Sequence, residues 1–400
     1  MPSLRQLYLS NVGQTSELPL LLEVDHANGM YIFDRDGKKY LDLNSGISVS
    51  SLEHCHPKVV SALKSQSEKY LHTMVYGEHV QSPQVKFAEL LLRQLKNKYE
   101  SVYYLMSGTE AVELGMKIAK KATNRYELIS CTNAYHGSTQ GAEALRSDLD
   151  YKSAYHPLLP GINHMKFNHL EDVNLITEGT AGVIIEAVQA EAGVIPPDIM
   201  FLIAVQKRCE EVGALFILDE IQTGFGRTGH LFAHQKYGVS PDLILIGKSM
   251  GGGMPIAGVV GSKALMNTII KNPALGHITT FGGHPMSCAA AHASLQALLD
   301  ENVVNQVSNK EAMMKDLLQH NIIKEVRSSG LMMAVELTKR KYLKHVVNHT
   351  IENGALIDYF LFNDRSFRVA PPLIITEKQI KEGCDILLAS MDYAEAKYEK

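Results

Sequence analysis

Residues 214–229 read ALFILDEIQTGFGRTG and give the clearest indication of the architecture. Residues 214–218 are apolar in succession, which is typical of a strand buried on both faces of a sheet. Asp219 and Glu220 follow directly, at the carboxyl end of this strand. Ligands of open α/β sheets bind at the carboxyl ends of the strands. The stretch therefore predicts a buried strand with acidic groups at the ligand-binding edge.

Similar short apolar runs occur on both sides of this stretch. These candidate strands cover residues 102–106, 128–131, 181–185 and 242–246. Asp198 is placed to cap a helix over about 199–212, which Gly213 would end. Strands that alternate with helices in this way predict a mostly parallel α/β sheet covered by helices.

The two ends of the chain follow a different pattern. Residues 30–43 indicate a hairpin with its turn at Asp36-Gly37, and residues 331–337 indicate one more short strand. Amphipathic helices begin at about Ala289, and a final helix follows Thr376. We expect both ends to form a smaller α+β domain beside the large one. The predicted units are an N-terminal segment joining the small domain (1–50), the large domain (51–288) and the C-terminal small domain (289–400).

Composition excludes several classes of protein. The 400 residues include 43 acidic and 39 basic ones, a formal charge of -4, so no nucleic-acid partner is expected. No apolar run approaches the ~20 residues that a membrane-spanning helix needs, and the N terminus lacks the pattern of an export signal. The five cysteines are odd in number and far apart in sequence, so we expect no disulfide framework and a cytoplasmic location.

Polar residues follow several of the predicted strands. Ser107-Gly108-Thr109 opens a helix, where free backbone N–H groups and the helix dipole favour an anion. Glu186 and Lys248 also come at strand ends, and a lysine near Asp219 can form an ion pair or act in catalysis. Each group has a plainer interpretation as well. Ser107 and Asp219 can be helix caps, and Lys248 can be an exposed lysine at a strand end.

Nucleotide-phosphate and metal sites are not indicated. The glycine run at 251–253 does not fit GxGxxG, and no GxxxxGK[ST] pattern occurs. His54-Cys55-His56 has metal-binding residue types, but no second cluster stands at a plausible spacing. A turn into a helix before Pro57 explains these residues, so we predict no metal.

Taken together, the motifs resemble those of pyridoxal 5′-phosphate enzymes of the aspartate aminotransferase fold, fold type I. More narrowly, LDEIQTGFGRTG at 218–229 is similar to the signature of class III aminotransferases. Further motifs come in the order of that family: NAYHG (133–137), GKSMGGGMP (247–255), TTFGGHP (279–285) and RVAPPL (368–373). The resemblance extends from about Leu20 to Glu382. The acetylornithine and ornithine aminotransferase branch is the most similar, through GISV (46–49) and PPLII (371–375).

This resemblance implies a cofactor and two catalytic residues. Lys248 would bind pyridoxal phosphate, because a lysine amine can form and exchange an imine with the cofactor aldehyde and can then shuttle a proton. Asp219 would lie against the pyridine nitrogen and keep it protonated.

Further cofactor contacts follow from the same resemblance. Tyr135 would stack on one face of the ring, Ile221 would pack on the other, and Gln222 would hydrogen-bond near the phenolic oxygen. Thr280 would reach the phosphate from the neighbouring subunit, which implies a homodimer with shared active sites. The implied cofactor site comprises Ser107, Gly108, Thr109, Tyr135, His136, Asp219, Ile221, Gln222, Lys248 and Thr280.

The resemblance also implies a substrate site. Arg368 would clamp a substrate carboxylate, and Glu191 would pair with Arg368 when no carboxylate is bound. Glu186 and Ile47 complete the expected substrate-binding set. Ser138 stands where the acetylornithine, ornithine and 4-aminobutyrate enzymes usually carry an arginine, which a hydroxyl cannot replace as a two-pronged carboxylate clamp.

The expected function is therefore transfer of an amino group from an ω-amino donor, similar to acetylornithine, ornithine or 4-aminobutyrate, to 2-oxoglutarate. Other specificities of the class stay open: diamine, diaminopelargonate or β-amino acid transaminase, or a non-transaminating aminomutase or racemase. A nicotinamide-dependent dehydrogenase would need a glycine-rich turn after an early strand, which is not found. A non-catalytic relative would be expected to have lost Lys248 or Asp219, and both are present.

Overall fold

The computed structural model describes residues 2–95 and 98–398. The helices in these residues are α1 (Leu4–Asn11), α2 (Ser45–Ser48), α3 (Pro57–Ser67), α4 (Ser82–Leu95), α5 (Gly108–Thr123), α6 (Gln140–Ala144), α7 (Ile199–Val212), α8 (Ala233–Tyr237), α9 (Lys263–Met266), α10 (Pro285–Asp300), α11 (Val307–Leu317), α12 (Arg340–Glu352) and α13 (Glu377–Ala396). The strands are β1 (Val24–Asn28), β2 (Tyr31–Asp34), β3 (Lys39–Asp42), β4 (Ser101–Leu105), β5 (Glu127–Cys131), β6 (Ile162–Met165), β7 (Thr180–Glu186), β8 (Leu215–Asp219), β9 (Leu243–Ile246), β10 (Ala257–Gly261), β11 (Ile323–Ser328), β12 (Met333–Leu337), β13 (Ala355–Leu356), β14 (Asp358–Tyr359) and β15 (Ser366–Val369).

A seven-stranded sheet forms the centre of the molecule, in the order β4-β10-β9-β8-β7-β5-β6. The neighbours from β9 to β6 are parallel, whereas β10 runs antiparallel to both β9 and β4. The predicted strand at each of the five apolar runs is confirmed. Strands β6 and β10 were not predicted, because INHM and AGVVG lack a continuous run of large apolar side chains.

Helices cover both faces of this sheet. On one face α5 contributes Ile118 to a cluster with Leu245 and Val259, and on the other α7 contributes Phe201 to a cluster with Phe216. The α7 prediction is confirmed in detail, since the Asp198 carboxylate accepts the Met200 N–H at 2.8 Å and Gly213 ends the helix at φ 69°. The predicted α/β architecture is confirmed.

The two chain ends contribute two smaller sheets, ordered β1-β2-β3-β13 and β11-β12-β15-β14. The predicted hairpin is β2–β3, and the predicted final helix α13 begins after Thr376, whose hydroxyl accepts the Gln379 N–H. Parallel pairing of β3 with β13 brings residues from the N-terminal and C-terminal parts of the chain side by side. The domain boundaries at 50 and 288 stay a prediction.

Two features of the described residues concern membranes and metals. Among the helices in this part of the chain, none is both long and apolar enough to cross a membrane. Within the same residues, no group of three or more His, Cys, Asp or Glu side chains could hold a metal ion.

Candidate active site

The carboxyl ends of the parallel strands surround a cavity of about 310 Å³. Nine of the predicted site residues line it: Gly108, Thr109, Tyr135, His136, Glu186, Asp219, Ile221, Gln222 and Lys248. Ser138, the residue at the variable arginine position, lines it as well. The cavity therefore brings together groups that are up to 140 positions apart in the sequence, from Gly108 to Lys248.

Asp219 is the last residue of β8 and is held by hydrogen bonds to both carboxylate oxygens. Oδ1 accepts the Ile221 N–H at 2.9 Å, and Oδ2 lies 2.7 Å from Nδ1 of the buried His136. Burial alone would lower the pKa of His136, but the hydrogen bond and charge of Asp219 outweigh it and raise the pKa. These contacts fix the carboxylate in one orientation at the strand end.

Lys248 begins the turn that follows β9, with its backbone in the left-handed region at φ 45°. Its Nζ donates to Gln222 Oε1 at 2.6 Å. Burial lowers the pKa of Lys248 to about 8. The nearby positive charge of Arg368 also lowers this pKa, whereas the negative charge of Glu191 raises it. A lysine with this pKa holds an appreciable neutral fraction near neutral pH, which a nucleophile and proton carrier requires.

The amino end of α5 faces the same cavity. Ser107 is its N-cap: the hydroxyl accepts the Glu110 N–H at 3.4 Å, and Glu110 Oε2 in return accepts the Ser107 N–H at 3.1 Å. This capping box uses the Ser107 hydroxyl as an acceptor and leaves the N–H groups of Gly108 and Thr109 at the helix start. The space is tight, because a β-carbon on Gly108 would lie 2.9 Å from Ile221 Cγ2. This helix start has the features of an anion-binding site.

Glu186, the last residue of β7, lines the cavity but has both carboxylate oxygens occupied by backbone. Oε1 accepts the Tyr135 N–H at 3.1 Å, and Oε2 accepts the Ala190 N–H at 2.9 Å. Burial raises the pKa of Glu186 to about 7. The residue thereby connects the loop of Tyr135 with the loop that carries Glu191.

Arg368 and Glu191 form a buried ion pair, with 2.7 Å between Arg368 Nη2 and Glu191 Oε1. Arg368 is 1% exposed, and its guanidinium carbon lies 4.7 Å from the centre of the Phe360 ring. The other Glu191 oxygen accepts the Leu361 N–H at 3.2 Å. The pair expected from the sequence is thus present, and both its charges act on Lys248.

Two predicted residues lie away from this arrangement. Ile47 is 41% exposed within α2, where Ser45, Gly46 and Ile47 all have positive φ, and it does not line the cavity. Thr280 is exposed and does not line the cavity either. The role expected of Thr280 concerns a neighbouring subunit, so it stays a prediction.

Two residues beside the site were not predicted from the sequence. Asp358 in β14 lies opposite Arg368 in β15, with its Oδ1 3.6 Å from Arg368 Nε. Ser48 accepts the Gln222 side-chain N–H at its Oγ (3.3 Å) and the Ser249 hydroxyl at its carbonyl oxygen (2.7 Å). In the sequence, Asp358 is distinguished only as a single acid within the apolar run 355–359. No sequence feature distinguishes Ser48.

These residues fit pyridoxal phosphate as a ligand. A carboxylate, an amine, an aromatic ring and a helix start line one cavity, and a β-carbon at Gly108 would crowd the Ile221 side chain. Asp219 suits a ring nitrogen, and the first N–H groups of α5 suit a phosphate. The arrangement is that of a fold type I enzyme that depends on this cofactor.

Comparisons with known proteins agree with this class. The family model of class-III aminotransferases matches residues 12–391. The acetylornithine aminotransferase of Methanocaldococcus jannaschii is 37% identical over 388 residues, covering 94% of this chain and 93% of that protein. The putrescine aminotransferase of Pectobacterium atrosepticum is 34% identical and covers 89% and 80%. The solved ornithine aminotransferase of Toxoplasma gondii superposes with a TM-score of 0.91 at 29% identity, covering 98% and 94%.

The chain belongs to the class III aminotransferase family. It is a pyridoxal-phosphate-dependent transaminase of fold type I, which moves an amino group from an amino donor to a 2-oxo acid. The family, the fold class, the cofactor and the enzyme class predicted from the motifs are confirmed.

Proposed function

We propose that this transaminase takes the amino group of an ω-amino donor and passes it to 2-oxoglutarate, with Lys248 and Asp219 as its catalytic residues. The supporting observation is that both residues line one 310 Å³ cavity next to the buried Arg368–Glu191 pair. An amine for proton transfer, a carboxylate for the cofactor ring and an arginine for a substrate carboxylate are the three functions that the reaction needs.

Bound pyridoxal phosphate supplies an aldehyde that takes up amines and a protonated ring that withdraws electrons from the neighbouring carbon. In the chain, Asp219 keeps a proton on the ring nitrogen, and His136 holds Asp219 Oδ2 in place at 2.7 Å. The first N–H groups of α5 and the Thr109 hydroxyl bind the phosphate, while Tyr135 and Ile221 enclose the ring. The Ser107 hydroxyl accepts the Glu110 N–H as the helix cap, and its own O–H is placed to donate to the phosphate.

Lys248 carries the proton in this proposal. Its pKa of about 8, lowered by burial, means that the amine can both accept and return a proton near neutral pH. Gln222 receives an N–H of Lys248 at 2.6 Å and is itself hydrogen-bonded to Ser48. These contacts limit the positions of Nζ, which proton transfer at a defined carbon requires.

Arg368 and Glu191 distinguish the two substrates. A carboxylate on the incoming 2-oxo acid can take the place of Glu191 on Arg368, whereas an amine donor leaves the pair closed. Breaking a buried ion pair without a new partner costs about 3–5 kcal/mol. The exchange is therefore selective for an acceptor that brings its own carboxylate.

The donor end of the site carries Ser138, which is exposed and lies 3.2 Å from the Tyr135 hydroxyl. A neutral hydroxyl at this place does not clamp a carboxylate, so the donor is held through its reacting ω-amine rather than through a carboxylate at this end. The relatives named for acetylornithine and for putrescine act on compounds that have such a primary amine.

We further propose a cytoplasmic homodimer acting in amino acid metabolism. Thr280 is flanked by the exposed apolar side chains Ile278 (49%) and Phe281 (45%), which a second subunit would bury. In that dimer Thr280 contributes to the neighbouring phosphate site. The five free cysteines are consistent with a reducing compartment.

The test is glutamate formation from 2-oxoglutarate and a panel of ω-amines by the purified holoenzyme. We expect turnover with at least one ω-amine and loss of about 10⁴-fold or more in Lys248→Ala. Lys263→Ala, which changes an exposed lysine, is the matched control and should keep full activity. An active Lys248→Ala variant, or no glutamate from any amine, would contradict the proposal.

A further inference from the structure

The short helix α2 has a strained backbone. Ser45, Gly46, Ile47 and Ser48 have φ angles of 55°, 60°, 63° and 61°, so four consecutive residues lie in the left-handed region. Glycine adopts this region readily, but residues with side chains are disfavoured there, and a β-branched residue such as Ile47 is a genuine outlier. Such a conformation persists only where the surrounding contacts enforce it, and it is typical of functional sites. The contacts of α2 therefore indicate what the strained conformation is for.

Polar side chains just before α2 enforce this conformation. Asp42 Oδ1 accepts the N–H groups of Asn44 at 3.0 Å and of Ser45 at 2.7 Å. Asn44 Oδ1 in turn accepts the Ile47 N–H at 2.5 Å. Asp42 is 2% exposed, and its other oxygen lies 2.8 Å from His54 Nε2. These bonds fix the backbone of α2 before any substrate binds.

The carboxyl end of α2 is bonded to the segment of Lys248. Ser48 Oγ accepts an N–H of Gln222 at 3.3 Å, and Gln222 Oε1 accepts an N–H of Lys248 at 2.6 Å. The Ser48 carbonyl oxygen accepts the hydroxyl of Ser249, the next residue after Lys248, at 2.7 Å. Ser48 is fully buried, so these contacts are shielded from solvent. Ser48 thus acts on the Lys248 amine through Gln222 and on the Lys248 backbone through Ser249.

The amino end of α2 is bonded to the strand of Arg368. The Ser45 hydroxyl donates to the carbonyl oxygen of Ala370 at 2.5 Å, and Ala370 comes two residues after Arg368. The Ala370 N–H donates to the carbonyl oxygen of Leu43 at 2.6 Å. These two bonds hold the end of β15 against the residues around the start of α2. Ser45 is buried as completely as Ser48.

We propose that α2 is a positioning element that holds Lys248 and Arg368 at a fixed separation, with Ser48 acting on Lys248 and Ser45 acting on Arg368. The inference rests on the proposed function, because it concerns how that site places the substrate carboxylate relative to the amine that transfers the proton. A substrate held on Arg368 presents its reacting carbon to Lys248 only if the two side chains keep their separation. Misplacing a reacting group by about 1 Å can lower a rate about 10²-fold, so a rigid link is useful even when its backbone is strained.

The experiment removes one buried hydroxyl at a time from the holoenzyme. Ser48→Ala breaks the bond to Gln222, and Ser45→Ala breaks the bond to Ala370. Single-turnover absorbance changes with L-glutamate, the amino form of 2-oxoglutarate, give a limiting rate constant and an apparent Kd. Thermal shifts with glutarate, a dicarboxylate that cannot react, report carboxylate binding without turnover.

The matched control is Ser390→Ala in α13. Ser390 is also a fully buried serine, and its hydroxyl donates to the Ile386 carbonyl oxygen at 2.7 Å. Its loss should lower the stability to a similar extent as the two α2 variants and leave the limiting rate constant, the apparent Kd and the glutarate shift at wild-type values. Unfolding without ligand reports whether each variant is folded.

We expect Ser48→Ala to lower the limiting rate constant about tenfold and to leave the apparent Kd and the glutarate shift unchanged. Ser45→Ala should instead raise the apparent Kd about tenfold and reduce the glutarate shift. Wild-type values in both folded variants, or equal changes of rate constant and Kd in both, as a merely structural turn would give, would overturn the inference and leave the proposed function standing. Absence of any absorbance change of the wild type with glutamate would overturn both.

Discussion

Asp219 is a buried acid and Asp358 a half-buried one, each beside a basic side chain, but their surroundings differ. Asp219 accepts hydrogen bonds at both oxygens, from Ile221 and His136. Asp358 Oδ1 and two nitrogens of its neighbour Arg368 have no hydrogen-bond partner in residues 2–95 and 98–398. On the cofactor side, both oxygens of the Asp219 carboxylate are thus bonded before any ligand arrives, whereas on the substrate side Asp358 and Arg368 keep polar atoms without a partner in the described part of the chain. Polar groups held by hydrogen bonds suit a cofactor that stays bound through the whole reaction. Polar groups without a partner suit the donor and the acceptor, which bind the same site in turn.

The largest effect is expected on the fixed side, from Asp219→Asn. The amide keeps an acceptor for the Ile221 N–H, but without a charge it no longer holds a proton on the ring nitrogen, so kcat should fall about 10³-fold. Steady-state kinetics with a saturating donor measures this loss.

The neighbouring Glu220→Gln variant is the control for that experiment. Glu220 is buried away from the cavity, where its carboxylate accepts the N–H groups of Ala233 and His234. It should lower the free energy of unfolding by about 1–3 kcal/mol and leave kcat close to that of the wild type. Equal losses of kcat in both variants would remove the distinction between the two carboxylates.

A smaller effect is expected on the exchanging side, from Arg368→Gln. Truncating a buried charged group costs about 2–5 kcal/mol in binding, so kcat/KM for 2-oxoglutarate should fall about 10²-fold. The half-reaction with a donor that has no carboxylate should change much less, as single-turnover absorbance changes would show. Arg340→Gln removes an exposed arginine and should change neither half-reaction. Equal losses in both half-reactions would contradict a carboxylate-binding role.

The smallest effect concerns folding. Burial lowers the pKa of Lys248 to about 8, and the charge of Arg368 lowers it further. The carboxylates of Glu191, Asp219 and Glu186 act in the opposite direction and raise this pKa. Between pH 8 and the ordinary lysine pKa of about 10.5, the unfolded chain binds more protons than the folded one, so stability rises with pH.

The cofactor-free Lys248→Met variant tests this linkage. It should be more stable than the wild type by about 1–3 kcal/mol at pH 7 and should lack that rise, as denaturant unfolding at several pH values would show. The exposed Lys263→Met should behave like the wild type. A rise that persists in Lys248→Met would exclude Lys248 as its source.

The part of the site that follows a strand directly could be predicted from the sequence. Continuous apolar runs identified β7, β8 and β9, and residues at their carboxyl ends must meet at one edge of a parallel sheet. Glu186, Asp219 and Lys248 meet there for this reason. The family motifs added Tyr135 and the Arg368–Glu191 pair, which have no such local signal.

What could not be predicted depends on pairing between short strands and on loop conformation. Asp358 comes to Arg368 only because the two-residue strand β14 pairs with β15 in one register. Ser48 reaches Gln222 from a turn with positive φ. Apart from glycine, no residue type in the sequence indicates such a backbone conformation. Ser107 was expected in the cofactor site, and its hydroxyl also caps α5 through the capping box with Glu110.

The most direct test of the central claim is to locate the cofactor on the chain. Pyridoxal phosphate is added to the purified protein, the product is reduced with borohydride, and the labelled peptide is identified by mass spectrometry. We expect a single label on Lys248, with Asp219→Asn still labelled there but lacking the wild-type absorbance band of the protonated ring. A label on another lysine, with Lys248 unmodified, would contradict a site in which Lys248 and Asp219 hold one cofactor between them.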